Sequence, residues 1–236
     1  MKSEQKTARI LGVLFLYAFI SSVLGIVLSG LMSPSFTKSN DLFSNVLVNS
    51  MRMKFSILTD LTASVSVIAM GVLLFNSLKR QNYNLAMIGL GLFFTEAIVL
   101  AISKISIFAL LYLSREYQAI INSNQIILQS LGNVLVIFHN SGYLILQFFY
   151  SLGGIFFLYL FYKSKFIPSS ISITGIIVFI LLLTDAISVV LGFNVGIILK
   201  LPEALFEILI GIWLIFKGFN LAGLQDGQEK RAFQDL

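Results

Sequence analysis

Residues Ile10–Leu28 read ILGVLFLYAFISSVLGIVL, a run without one charged side chain. An α-helix rises about 1.5 Å per residue, so about 20 apolar residues cover the roughly 30 Å hydrocarbon core of a bilayer. Buried helices of soluble proteins rarely stay apolar for that length. A short basic leader with Lys2, Lys6 and Arg9 precedes the run. A secretory signal is the competing reading, but the apolar stretch exceeds an ordinary signal core and no clear A-x-A cleavage pattern follows it. The run is therefore expected to be a retained first span, over about residues 9–32.

Comparable blocks recur at about 55–78, 83–113, 140–162, 167–193 and 201–219, so six spans are expected in one transmembrane domain covering 1–236, with a polar tail at 225–236. Composition agrees: 57% of residues are hydrophobic and 11% charged, where soluble domains carry about a quarter charged. The long Leu/Ile/Phe blocks lack the alternating polarity of a transmembrane β-barrel. The expected fold class is thus all-α, a polytopic transmembrane helical bundle. Two connecting stretches are amphipathic. Residues 33–54 place Leu42, Phe43, Val46 and Leu47 at helical spacing among Pro34, Asn40, Asp41 and Asn49, and residues 114–138 mix Arg115, Glu116, Asn122 and Gln129 with Ile120, Ile127 and Leu131. Both are expected on the outer side, lying along the interface rather than spanning.

Orientation follows from the basic residues flanking the spans. With the N-terminus inside, Lys2, Lys6, Arg9, Lys79, Arg80, Lys163, Lys165, Lys217, Lys230 and Arg231 are cytoplasmic, ten of the sixteen Lys and Arg. The bias favours N-in and C-in, against Arg52 and Lys54 flanking the second span outside. The same placement accounts for the net charge of +5, so the partner expected is the lipid bilayer and not nucleic acid. With no cysteine, disulfides, thiolate zinc sites and thiol catalysis fall away. One histidine makes an imidazole-rich metal site improbable, so no cofactor is expected, although a carboxylate site for a hard cation stays open.

An acid at bilayer depth costs a few kcal/mol on insertion scales, so each one needs an account. Four of the eleven acidic residues qualify: Asp60, Glu96, Asp185 and Glu207. Asp60 and Glu207 lie roughly 8 and 9 Å below the outer ends of their spans, and Glu96 and Asp185 roughly 20 and 21 Å above the inner ends. All four fall in the outer half. Positions three, four and seven apart share a helix face. Those faces read Ser56, Asp60, Ser64, Val67 and Gly71; Asn140, Gln147, Ser151 and Gly154; Asp185, Ser188 and Gly192; and Glu203, Glu207 and Gly211. Small and polar residues turn inward in membranes. The expectation is one outward-opening pocket holding Asp60, Glu96, Asp185 and Glu207, with Asn140 and Gln147 on its wall. Glu203 reads as a first-turn carboxylate balancing the helix dipole behind Pro202. Lys104, about 80° round its helix from Glu96, reads as snorkelling outward, and His139 as a solvated histidine at the mouth of the fourth span.

The segment from Tyr143 to Asn220 resembles the bacterial membrane-protein family catalogued as domain of unknown function 4386. The resemblance rests on Gly154, Tyr-Lys-Ser-Lys-Phe-Ile-Pro at Tyr162 to Pro168, Gly175, Asp185, Pro202, Glu207 and Trp-Leu-Ile-Phe-Lys-Gly at Trp213 to Gly218. Weaker similarity runs back through Glu96 and Asp60. Members of the family commonly carry a basic residue about one turn before the acid of the third span, where this chain has Phe93. The resemblance implies a bacterial inner-membrane protein and assigns no activity.

Clustered carboxyls suit binding or transport of a cation, a proton or a small cationic molecule. Two other classes stand beside that reading. One is an intramembrane enzyme using Asp60 and Asp185 as a carboxyl pair, for which no supporting motif surrounds either Asp. The other is a sensor, immunity or scaffold protein working through its amphipathic segments.

Overall fold

A computed structural model describes residues 2–33, 42–119, 125–193 and 196–220. Among the described residues it holds seven α-helices and no strand: α1 Lys2–Ser29, α2 Leu42–Val48, α3 Ser50–Leu78, α4 Tyr83–Ala119, α5 Gln125–Ser164, α6 Ser169–Val190 and α7 Leu201–Phe216, with a 3-10 turn at Gly196–Leu199 before α7. Five of them, α1 and α3 to α6, are long and apolar enough to cross a membrane. The sixth expected span, α7, has 16 residues and reaches only about 24 Å.

Local chemistry sets the helix ends. Gly30, at φ 67°, stops α1 in the left-handed conformation that other residues resist. The Asn82 side chain accepts the Leu85 N–H at 3.0 Å and so caps α4. Pro168, with φ −53° and ψ 137°, stands just before α6, where its missing N–H costs nothing. Pro202 occupies the first turn of α7 for the same reason.

The stretch 114–138 departs from expectation. It is not a separate interfacial segment: residues through Ala119 continue α4, and residues from Gln125 belong to α5, while 120–124 lie outside the described residues. No proline interrupts 125–164, and the single Gly132 is tolerated inside a helix. Its amphipathic pattern arises because Gly132, Val136 and His139 face protein while Leu131, Val134 and Ile137 are exposed. Of the expected interfacial helix at 33–54, α2 is the helical core, and Ser50 to Lys54 form the first turn of α3. The rest of that stretch, 34–41, and the tail lie outside the described residues.

The chain groups into two compact units. The first comprises Met1–Phe19, Ser66–Glu96 and Gln147–Leu236, the second Ile20–Val65 and Ala97–Leu146. Within the first, the N-terminal half of α1 runs antiparallel to α7. A β-carbon on Gly12 would come within 2.6 Å of the Gly211 carbonyl, and one on Gly211 within 2.7 Å of Leu16, so the helices meet backbone to backbone, as small residues permit. Rings then form a chain: Phe157 to Phe93 (5.2 Å between centroids), Phe93 to Tyr150 (5.5 Å), Tyr150 to Phe179 (5.2 Å) and Phe179 to Phe206 (6.2 Å). In the second unit, Leu42, Phe43 and Val46 of α2 bury against Met53, Ile57, Ile107, Leu110 and Val136. This short helix is therefore a core element, not a surface one.

Candidate functional site

The second unit holds a closed polar cluster. Asp60 is buried on the face that also carries Ser56 and Ser64, as their spacing predicts. Lys104 brings Nζ to 2.6 Å from Asp60 Oδ2. The Tyr143 hydroxyl donates to the same oxygen at 3.0 Å and accepts from Lys104 Nζ at 3.0 Å. Both partners serve Oδ2, so the charge is paired, while Oδ1 is buried without a hydrogen-bond partner among the described residues. Asp60 Oδ1 lies over Gly25, where any β-carbon would overlap it.

Two expectations are corrected here. Lys104 does not snorkel: it is 1% exposed and ion-paired. His139 is not solvated, because α5 begins at Gln125 and the ring falls inside the helix, fully buried and edge-on to Tyr143 at 5.1 Å. The Ser103 main chain is within electrostatic reach of that ring without a well-formed hydrogen bond to either nitrogen. Asn140, one residue on, buries an Oδ1 that has no hydrogen-bond partner among the described residues. Elsewhere in this unit, a cavity of about 300 Å³ is lined by Val27, Leu28, Gly30, Ser33, Asn45, Asn49 and Arg52, and no expected site residue borders it.

The first unit holds acids of a different kind. Glu96 and Glu207 are buried, and their carboxyls are close enough to interact electrostatically. The Tyr150 hydroxyl donates to Glu207 Oε1. Glu203, one turn before Glu207 on α7, lies within electrostatic reach of it, and Glu96 is within reach of both Glu203 and Tyr150. Glu96 Oε2 is buried with no hydrogen-bond partner among the described residues. Among the described residues the lysines that reach buried acids go to Asp60 and Asp185, not to these glutamates. Phe93, one turn before Glu96, packs its ring on Tyr150, so an aromatic side chain stands beside the acids.

Asp185 is also in this unit, 1% exposed. Gln147 Nε2 donates to its Oδ2 at 2.8 Å and to the Leu182 carbonyl at 3.0 Å. Lys200 approaches the same Oδ2 at 3.4 Å.

Of the expected residues, then, Glu96 lies within electrostatic reach of Glu207 and Gln147 bonds Asp185, while Asp60 and Asn140 belong to the other unit, where Asp60 has partners of its own. Sequence reasoning passed over Tyr143, Tyr150 and Lys200. The tyrosines were legible in principle, since Tyr143, Gln147 and Tyr150 are spaced by four and three on one face of α5.

Long apolar helices whose buried carboxyls find hydroxyl, amide and lysine partners define a multi-pass helical membrane protein. The chain belongs to the family described as Domain of unknown function (DUF4386), whose model matches residues 10–218. No curated protein and no solved structure matches it.

Proposed function

We propose that this is a six-span protein of the bacterial inner membrane, with both termini in the cytoplasm, that binds a small cation in exchange for a proton at the buried carboxyls of its first unit. The observation that carries the reading is the group Glu96, Glu203 and Glu207 around Tyr150, with no basic side chain in ion-pair distance among the described residues. Isolated buried carboxylates cost several kcal/mol each, and carboxyls grouped without a compensating cation repel one another, so both effects favour a bound proton. Such a group holds protons until a cation replaces them. In this reading Glu207 is the principal acceptor, oriented by Tyr150, Glu96 supplies the second carboxyl, and Asp185 with Gln147 forms a polar approach. Asp60, already neutralised by Lys104, holds helices together, and Asn140 adds an acceptor in the same unit.

The antiparallel pairing of α1 with α7 supports six crossings. Gln5 Nε2 donates to the Phe219 carbonyl at 2.6 Å, and the Asn220 N–H donates to the Phe166 carbonyl at 2.7 Å. The beginning of α1, the α5–α6 turn and the end of α7 therefore share one side. Five crossings would leave the start of α7 on the far side, so its return makes a sixth, with the 3-10 turn adding length to its 16 residues.

Infrared difference spectroscopy of the purified protein tests the site. Protonated carboxyl bands are expected at neutral pH, weakened in Glu207→Gln and in Glu96→Gln and bleached by the bound cation. If neither substitution changes that region of the spectrum, the carboxyl group is not the exchanging site.

A further inference from the structure

Asp185 stands five residues before the end of α6 at Val190, about 8 Å from that end along the axis. Its carboxylate is 1% exposed, whereas Lys200, its ionic partner, is 46% exposed and stops at 3.4 Å. Charge-assisted N–H···O bonds close at about 2.7–2.9 Å, so this pair is a contact rather than a closed bond. Gln147 gives Oδ2 one hydrogen bond and divides its amide with Leu182. Oδ1 is buried and has no hydrogen-bond partner among the described residues. An ionised carboxylate offers about four acceptor positions, and this one is served by a single amide and a distant ammonium.

Lys200 is also an odd choice for its own helix. It occupies the N-cap of α7, makes no capping hydrogen bond there, and places a positive charge at the end where the helix dipole disfavours it. What the position provides is reach to Asp185 from the solvent side.

We propose that Asp185 is an acceptor for the primary ammonium group of a ligand, and that the Lys200 side chain holds that group's place until the ligand displaces it. A long, half-exposed side chain leaves a loose ion pair at little cost, while the buried carboxylate requires a replacement cation. A primary ammonium carries three donors and can serve both carboxylate oxygens, whereas a quaternary ammonium carries none. The chemistry is shared by free organic amines and by the ethanolamine headgroup of a lipid. The inference rests on the reading that the acids of the first unit form a ligand site, but it needs none of the three glutamates.

The experiment compares the wild-type protein with Lys200→Gln, Lys200→Arg and Lys200→Gln/Asp185→Asn in phosphatidylcholine nanodiscs, following thermal stability as ethylammonium chloride is titrated against matched tetramethylammonium chloride. Lys200→Gln is expected to be stabilised saturably at about tenfold lower ethylammonium than wild type, the gap that a tethered competitor occupying nine-tenths of sites imposes. Lys200→Arg should behave like wild type, tetramethylammonium should do nothing, and the double variant should lose the response. A second arm replaces part of the phosphatidylcholine with phosphatidylethanolamine. Stabilisation of Lys200→Gln by that lipid alone assigns the headgroup, and its absence beside an ethylammonium response assigns a free amine. No ethylammonium response in Lys200→Gln, an equal response in wild type, or a response that survives Asp185→Asn overturns the proposal. The carboxyl bands of Glu96 and Glu207 are read separately, so failure here leaves the glutamate reading to its own test.

Discussion

The Asp60–Lys104–Tyr143 triangle shows what a single residue can and cannot announce. That Asp60 faces inward was legible, because Ser56 and Ser64 share its face and polar groups find no partner in lipid. That Lys104 is its partner was not, because spacing fixes a residue's direction on its own helix and says nothing of which neighbour that direction meets. The same gap hid the role of Tyr150 beside Glu207. With Nζ at 2.6 Å from the carboxylate and both side chains 1% exposed, removing one partner leaves the other buried and uncompensated. Lys104→Met is expected to destabilise the protein by about 3–5 kcal/mol. Asp60→Asn/Lys104→Met, which removes both charges, should recover most of that loss. Unfolding in mixed micelles, followed by tryptophan fluorescence of Trp213, measures both variants. A Lys104→Met protein as stable as the double variant would mean that the pair neutralises nothing.

Among the elements, existence was easier to read than extent. Each long apolar run became a helix, since a bilayer-length stretch of Leu, Ile and Phe has no other way to satisfy its backbone in lipid. The ends were set by features a hydropathy pattern does not weigh. Residues 114–138 read as interfacial because they are polar on one side, yet without a proline the backbone simply continues, and α5 reaches 40 residues, about 60 Å. Its surplus beyond the hydrocarbon core is what α2 packs upon: a β-carbon on Gly132 would meet Phe43 at 2.8 Å. The crossing of α1 and α7 shows the same dependence on close approach. Gly211 is buried with Leu16 and the Gly12 carbonyl directly over it, so Gly211→Leu must push the two helices apart. Overpacking of this kind costs about 1–3 kcal/mol. The expected outcome is a lowered Tm in detergent, with faster cleavage by limited proteolysis near residue 5, where Gln5 loses its hold on the Phe219 carbonyl. Unchanged proteolysis and Tm would show that the glycines are not the contact that sets this crossing.

At the scale of the whole molecule, sequence and structure constrain topology in different ways. The Lys and Arg bias favours the proposed orientation but cannot count crossings, and it is weakened by Arg52 and Lys54, which that orientation puts outside. The structure shows which helix ends lie together and leaves their orientation to the charges. Helix length alone finds five spans, which would separate the two ends of the chain; the Gln5–Phe219 and Phe166–Asn220 hydrogen bonds bring the start of α1, the α5–α6 turn and the end of α7 together. The proposed six crossings meet both conditions, with α7 as the helix that would complete them. The two arguments are joined by one experiment that the absence of cysteine makes simple. Ser3, Lys163 and Phe193 are exposed, so Ser3→Cys, Lys163→Cys and Phe193→Cys present single thiols with little structural consequence. In intact cells a membrane-impermeant maleimide is expected to label Phe193→Cys, and to label Ser3→Cys and Lys163→Cys only after permeabilisation. Labelling of Ser3→Cys and Lys163→Cys in intact cells, with Phe193→Cys protected, would keep six crossings and invert the protein, removing the charge argument alone. Ser3→Cys and Lys163→Cys on opposite sides would break the crossing count itself. The hydrogen bonds that tie α1 to the end of α7 would then have to be rejected with it, because no odd number of crossings lets those residues meet.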